Sequence, residues 1–358
     1  MKNTIRSHSL PRLLLSYAIL IGCGLVFPLE ISAQFKRFAS SEKIKGVSFS
    51  GPQKAGWQLN MFKNIQVSKA EWVALIPEAT LNRQSLELRP DSENDCWSET
   101  VEANIQGIKM AKRAGLRVML KPHIVLGEKT SYDRTGRASW RGLFRPQNEK
   151  DWQTWEKNYE AYILQLAYIA QSLKVDLFCV GTELKFSAVE RAAFWRQLIQ
   201  KVRRVYSGPL TYSANWDEYD LIGFWQSLDY IGVDTYFPIN EAKYPDVDTT
   251  VKNWKVIQKK LKRISRKEGR QILITEFGYR NVYFAGKEPW LHDAGNETPF
   301  DQAQVNLYQA FFQAFWDKSW VAGGFSWKWF YQPQPKGNTN FSIQDKPALK
   351  VLQKWYSR

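Results

Sequence analysis

Two short stretches put a glutamate directly behind an apolar run: "VGTELK" at 180–185 and "ITEFGY" at 274–279. In each, the carboxylate follows a threonine where a buried strand would end. A lone glutamate in such a place is explained by a helix cap or an arginine partner. Two of them, Glu183 and Glu276, on separate runs strain that explanation. A pair of carboxylates suits retaining glycoside hydrolysis. One carboxylic acid protonates the leaving oxygen while the other carboxylate attacks the anomeric carbon, and the two stand about 5–5.5 Å apart. Such groups must also differ electrostatically, one kept protonated by its surroundings and the other ionised and hydrogen-bonded.

Other chemistries have little material. The three histidines, His8, His123 and His292, form no pair and no HExxH pattern, and Cys23, Cys96 and Cys179 form neither a CxxC motif nor a disulfide framework. No metal and no cofactor is expected. The phosphate-binding patterns GxGxxG and GxxxxGK[ST] do not occur.

The elements that must position the carboxylates repeat one arrangement after residue 40: a β-rich apolar run, a polar or aromatic loop, then an amphipathic helical stretch. Eight such runs are counted, at 44–49, 72–77, 117–124, 175–183, 209–215, 229–237, 271–279 and 321–330. They are too continuously apolar for a sheet with one wet face, and their spacing suits helical crossovers, so parallel strands are expected. Helices are read at 101–115, 151–174, 187–206 and 302–318, the third with a capping-box pattern at Ser187 and Glu190 and an apolar face of Val189, Phe194, Leu198, Val202 and Val205. Eight β/α units in one domain, 34–358, predict a TIM (β/α)8 barrel, with an open doubly wound sheet as the other arrangement. Glu183 then ends the fourth strand and Glu276 the seventh, both at the C-terminal rim where barrel active sites are built. Two long loops, 127–152 and 280–301, leave the same rim.

From "KGVSF" through "KPHI", "VGTELK", "TYSANWDE", "LDYIGVDTYFP" and "ITEFGY" to "AGGFSWKW", the chain resembles glycoside hydrolase family 113 of clan A, whose characterised activity is β-1,4-mannan hydrolysis. The resemblance implies that Glu183 is the acid/base and Glu276 the nucleophile. It also implies that Tyr236, after the sixth strand, donates to Glu276; the alternative is a rim tyrosine bonded to backbone. Many clan A enzymes carry an asparagine before the acid/base that binds the sugar 2-hydroxyl, and here Thr182 stands there, as in family 113. Asn215, at the end of the fifth strand, is then either the 2-hydroxyl contact or a turn-former before "WDE".

Period-2 alternation puts Lys121 and His123 on one side of the third strand, where either bonds sugar hydroxyls or holds structure. It likewise puts Asp234 on the side of Tyr236, as a hydroxyl acceptor. Trp140 and Trp290 lie on the two long loops, to stack sugars or to anchor the loops. Trp327 and Trp329 share one side of the eighth strand if it stays extended, one as the floor beneath the cleaved sugar and the other as core.

At the N-terminus, Lys2, Arg6 and Arg12 precede the apolar "LLLSYAILIGCGLVF" and then "ISAQ". The pattern predicts an export signal over 1–33, cut after Ala33, with lipidation at Cys23 or a retained anchor as other outcomes. A secreted or periplasmic protein follows, with possible membrane attachment only through that segment. The formal charge is +15. Its densest basic stretch, 252–270, carries Trp254, Val256, Ile257, Leu261 and Ile264 at helical spacing, so the lysines and arginines read as a helix's outer face and no nucleic acid is expected. The expected partner is a polysaccharide or oligosaccharide substrate: mannan, another β-glycan such as β-glucan or β-galactan, or a glycan bound by a non-catalytic barrel.

Overall fold

Apolar runs bounded by loops become strands, and amphipathic stretches between them become the helices that cover those strands. The computed structural model describes residues 42–51, 56–90, 100–126, 140–292 and 297–358, all within the unit Arg37–Arg358. Residues 1–33, where an export signal is expected, with Cys23, and also Cys96 lie outside the described residues. In chain order the elements are β1 (Ile44–Ser50), α1 (Leu59–Lys63), β2 (Trp72–Leu75), β3 (Glu78–Leu81), β4 (Leu88–Pro90), α2 (Val101–Arg113), β5 (Arg117–Leu120) and β6 (His123–Leu126). There follow α3 (Glu149–Ser172), β7 (Leu177–Thr182), α4 (Lys185–Glu190), α5 (Ala192–Val205), β8 (Leu210–Asn215), β9 (Tyr230–Asp234), α6 (Val247–Glu268), β10 (Gln271–Phe277), α7 (Asp301–Phe315), β11 (Val321–Phe330) and α8 (Ala348–Tyr356).

Eight strands, β1, β2, β5, β7, β8, β9, β10 and β11, pair in that order, all parallel, and β11 closes back onto β1. This is the TIM barrel expected from the eight runs. Alternation along each strand sorts its side chains. Trp72, Ala74, Met119, Leu177, Leu273 and Phe325 pack together in one cluster, while their neighbours Val73, Leu75, Val118, Leu120, Ile272 and Ile274 belong to the larger core that the helices cover. Each fully buried side chain of this size stabilises by about 1.5–3 kcal/mol.

Three expectations need correction. The third run, 117–124, is not one strand. It divides at Lys121–Pro122 into β5, in the barrel, and β6, which pairs in parallel with β3 in a separate three-stranded sheet. Proline lacks an N–H for the ladder, and the ladder stops there. The helix read at 187–206 is broken at Arg191, and Ser187 is a buried residue inside α4 rather than a cap. Its hydroxyl accepts from Trp195 Nε1 at 3.2 Å instead. In α6, Trp254, Leu261 and Ile264 are buried but Val256 is exposed, because it sits off the 254–257–261–264 stripe. The outward lysines and arginines of α6 are exposed as expected, and Asp246 caps its first turn by accepting from Thr249 N–H at 2.8 Å.

The connection from β8 to β9 uses a 3-10 turn, Trp225–Ser227, where the other late crossovers use long helices. No helix among the described residues is long and apolar enough to cross a membrane.

Candidate active site

The two glutamates are delivered by different backbone devices. Glu276 lies within β10, with Asp234 of β9 as its ladder neighbour. Glu183 stands one residue past β7 with φ 52°, in the left-handed region, and its N–H donates to Ser213 O at 2.8 Å. A non-glycine residue in that region costs about 1–2 kcal/mol, so the fold spends stability on the direction in which this carboxylate leaves the strand.

Around Glu276 the donors are fixed. Oε1 accepts from Lys121 Nζ, and Oε2 accepts from Tyr236 OH at 2.9 Å. Lys121 is 0% exposed and also lies 3.6 Å from Asp234 Oδ2. Burial pushes the Lys121 ammonium down, but Asp234 and Glu276 outweigh it and leave the group above its ordinary value, hence charged. Glu276 is raised by burial; the Lys121 cation works against that and the nearby Glu183 charge adds to it. An ammonium and a phenol donating to a buried carboxylate stabilise its ionised form, the condition for a nucleophile.

Around Glu183 the donors come from one short stretch. Oε2 accepts from Trp140 Nε1 at 3.1 Å and from Arg141 Nη1 at 2.9 Å. Its side chain keeps 12% exposure, against 7% for Glu276. Burial raises its carboxyl first and the Asp234 charge adds to that, opposed by Arg141 and Lys121. The two carboxylates therefore have unlike surroundings.

The other sequence-predicted residues separate into three groups. Lys121, His123 and Tyr236 gather at Glu276, with His123 Nε2 at 3.3 Å from Lys121 Nζ and 3.6 Å from Glu276 Oε1. Burial, together with the cations Arg141, Lys121 and Lys328, pushes the His123 imidazole well down, so it is neutral. Trp327 is half-buried and stacks on His123 with ring centroids 6.0 Å apart. A second group sits in supporting positions. Trp140 donates to Glu183 and covers Gly142. Asn215 bonds Asp217 Oδ1 through its amide at 3.0 Å, and its carbonyl accepts from Glu218 N–H at 3.1 Å, the turn-forming alternative. Trp290 stacks on Trp216 at 5.4 Å.

The third group is corrected. Asp234 is 0% exposed, and its oxygens accept from Ser213 Oγ and Thr275 Oγ1 at 2.7–2.8 Å, so it does not reach a sugar hydroxyl. Burial pushes its carboxyl up to about 6. Lys121, equally enclosed, reaches Glu276 rather than sugar. Trp329 takes the core alternative offered for the pair, in contrast to half-buried Trp327 two residues before it. Thr182 donates to Pro122 O at 3.0 Å and is buried.

Arg141, Glu218 and Lys328 were missed. Arg141 follows Trp140 in "SWRG", but one arginine among 50 basic residues carries no signal of its own. Glu218 is fully buried beneath the site, accepting from Tyr212 OH at 3.2 Å, with Oε2 unpartnered. Burial, then the Glu183 charge, drives its carboxyl well above the usual range, so it is a neutral acid. Lys328 lies 5.1 Å over the Trp327 ring, its ammonium pushed down by burial. Among the described residues no group of three or more His, Cys, Asp or Glu is placed to hold a metal ion.

The fold has solved counterparts. A complex of a GH113 β-1,4-mannanase aligns with TM-score 0.74 at 24% identity over 88% of this chain and 99% of that one. The GH113 β-mannanase AaManA from Alicyclobacillus acidocaldarius in complex with ManMIm aligns with TM-score 0.74 at 22% identity over 89% and 98%. A Faecalibacterium prausnitzii β-glucuronidase is a more distant likeness, TM-score 0.58 at 15% identity, and this chain covers 49% of it. No curated protein matches the sequence. The family model described as Glycoside Hydrolase Family 113 matches residues 49–346, a span that takes in both carboxylates and every group bonded to them. The chain belongs to glycoside hydrolase family 113 and is a glycoside hydrolase.

Proposed function

We propose that this hydrolase is a retaining β-mannanase that cleaves β-1,4-mannosidic bonds in mannan or manno-oligosaccharides. The observation that carries the reading is the unlike dressing of the two carboxylates: Lys121 and Tyr236 on Glu276, Trp140 and Arg141 on Glu183. The substrate class is supported by family membership and by the β-1,4-mannanases among the structural counterparts.

In the first half-reaction Glu276 attacks the anomeric carbon, forming a glycosyl-enzyme, while Glu183 passes its proton to the departing oxygen. In the second, water gives its proton to Glu183 and attacks the same carbon, releasing Glu276. Lys121 is a fixed positive charge beside Glu276; as carboxylate charge moves into the glycosyl bond, Asp234 still balances the ammonium. Tyr236 fixes the free oxygen of the ester. Burial keeps Glu183 ready to hold a proton before the first step. Trp327, half-buried on His123, is the apolar floor for the sugar in this reading. Export through residues 1–33 belongs to the same reading and is supported by the basic-then-apolar pattern there.

The test is incubation of the wild type and of Glu276→Ala with mannan, mannohexaose, β-glucan and β-galactan, followed by product sizing. Manno-oligosaccharide products from the wild type and a loss of at least about 10³-fold in the variant are expected. Cleavage of β-glucan or β-galactan alone would replace the substrate assignment, and binding without cleavage would make the barrel a glycan-binding module.

A further inference from the structure

One guanidinium touches both halves of the site. Arg141 Nη1 donates to Glu183 Oε2 at 2.9 Å, Nη2 lies 3.1 Å from His123 Nδ1, and Nε donates to Ile124 O at 2.9 Å. Both ring nitrogens face a cation, Nδ1 the Arg141 fork at 3.1 Å and Nε2 the Lys121 ammonium at 3.3 Å; Arg141 is the shorter contact and a donor only, so Nδ1 is assigned as its acceptor and the ring proton to Nε2. Nε2–H then faces Glu276 Oε1, 3.6 Å away. The Ile124 carbonyl fixes the base of the fork, because Ile124 is a residue of β6 bonded into the three-stranded sheet. The side chain is thus held at three points, on backbone, acid/base and imidazole, with 17% exposure.

We propose that Arg141 is a positioning residue of this active site, whose planar fork holds the Glu183 carboxylate and the His123 imidazole in one fixed relation, so that Glu183 gives and takes its proton against a constant cation. The inference rests on the proposed roles of Glu183 and Glu276 and adds a residue to them. A guanidinium at 2.9 Å favours the ionised carboxylate. That makes Glu183 harder to keep protonated before the first half-reaction and keeps it ionised, free to accept a proton from water, before the second. Burial and the Asp234 charge pull the other way and leave the carboxyl above its ordinary value, so Arg141 tempers a group that the site otherwise keeps protonated. The other groups that face it are Trp140 on its own loop, Lys121 after β5, Glu276 on β10 and Glu218 on the turn after β8. His123 is faced by Arg141, Lys121, Lys328 and Glu276. No lysine can replace the fork: an ammonium is a point charge and cannot address a carboxylate and a ring nitrogen in one plane.

The experiment compares the wild type with Arg141→Met and Arg141→Lys in two readouts. The first, free of substrate, is ¹⁵N NMR of the imidazoles, practicable because the chain has three histidines, with His123→Asn for assignment. The wild type is expected to show His123 with a bare Nδ1 and a protonated Nε2 between pH 5 and 8. In Arg141→Met this pattern is lost, and the ring takes up its proton at higher pH. The second readout is the pH profile of kcat/KM on a manno-oligosaccharide. Its upper limb falls as Glu183 loses its proton, so removing the cation moves that limb upward, by about one pH unit. Arg141→Lys keeps the charge, folds with the least disturbance and leaves the limb near its wild-type position. A limb that stays put in Arg141→Met, with turnover lost evenly at every pH, would overturn the proposal, as would an unchanged His123 pattern. A wild type without turnover on any β-glycan would instead overturn the proposed function, while the imidazole spectra still judge the Arg141 contacts.

Discussion

Tyr236 shows how much a single hydroxyl is asked to do. It donates to Glu276 Oε2 at 2.9 Å from a buried position and stabilises the ionised carboxylate. Its removal leaves Glu276 with Lys121 alone, so the carboxylate protonates more easily. Activity disappears as pH falls through the Glu276 pKa, and the lower limb of kcat/KM in Tyr236→Phe is expected to move up by about 0.5–1 unit, read from the pH–rate profile. An unmoved limb would mean that the phenol only packs. At this scale the sequence was informative where alternation and a strand end decide direction, as for Glu183, Glu276, Tyr236 and the Lys121/His123 pair. Of the partners it offered one, Tyr236 on Glu276, and that through the family resemblance. Asp234 was placed on the correct strand but at a depth that only the closed barrel defines, since Ser213 and Thr275 reach it from the neighbouring strands. For Trp140 the sequence offers a sugar platform or a loop anchor, and its indole N–H on Glu183 depends on the fold of a loop with no periodicity.

At the scale of elements, the turn after β8 holds the clearest pH sensor for stability. Glu218 closes that turn, and its carboxyl is neutral in the folded protein because burial and the Glu183 charge disfavour ionisation. Its folded pKa lies above the ordinary 4.5, so its contribution is complete below that pH and is lost as pH rises toward the folded value. Each unit in that window removes about 1.4 kcal/mol from this group alone. Glu218→Gln carries no such proton, so relative to the wild type it is expected to gain stability as pH rises above the ordinary carboxyl value in urea titrations. A pH-independent difference would show that Glu218 ionises freely. Strand positions were legible because continuous apolar runs have few other uses. The division of the third run into β5 and β6 and the break at Arg191 were not, since both arise where tertiary pairing overrides a local pattern. Proline 122 was the available signal for the first. For the second, Arg191 bonds Glu149 and Glu156 of α3, a partnership between residues far apart in sequence.

For the whole molecule, the barrel sets the carboxylates on β7 and β10, strands separated by β8 and β9, and supplies Lys121 and Asp234 from below. The parallel order of eight strands followed from counting runs, because crossovers by helices leave no other sheet for strands buried on both faces. The basic surface of α6 is consistent with a solvated outer face: its charges lie opposite the buried Trp254, Leu261 and Ile264. The central claim, that Glu276 forms a covalent bond to the sugar, has a direct measurement. The enzyme is incubated with a mannosyl fluoride bearing fluorine at the 2-position, which slows release of the glycosyl-enzyme, then digested and sequenced by mass spectrometry. The account predicts one added sugar, on the carboxylate of Glu276, with activity lost in step. A label on another residue, or a fully active enzyme that consumes the reagent without ever being labelled, would contradict it.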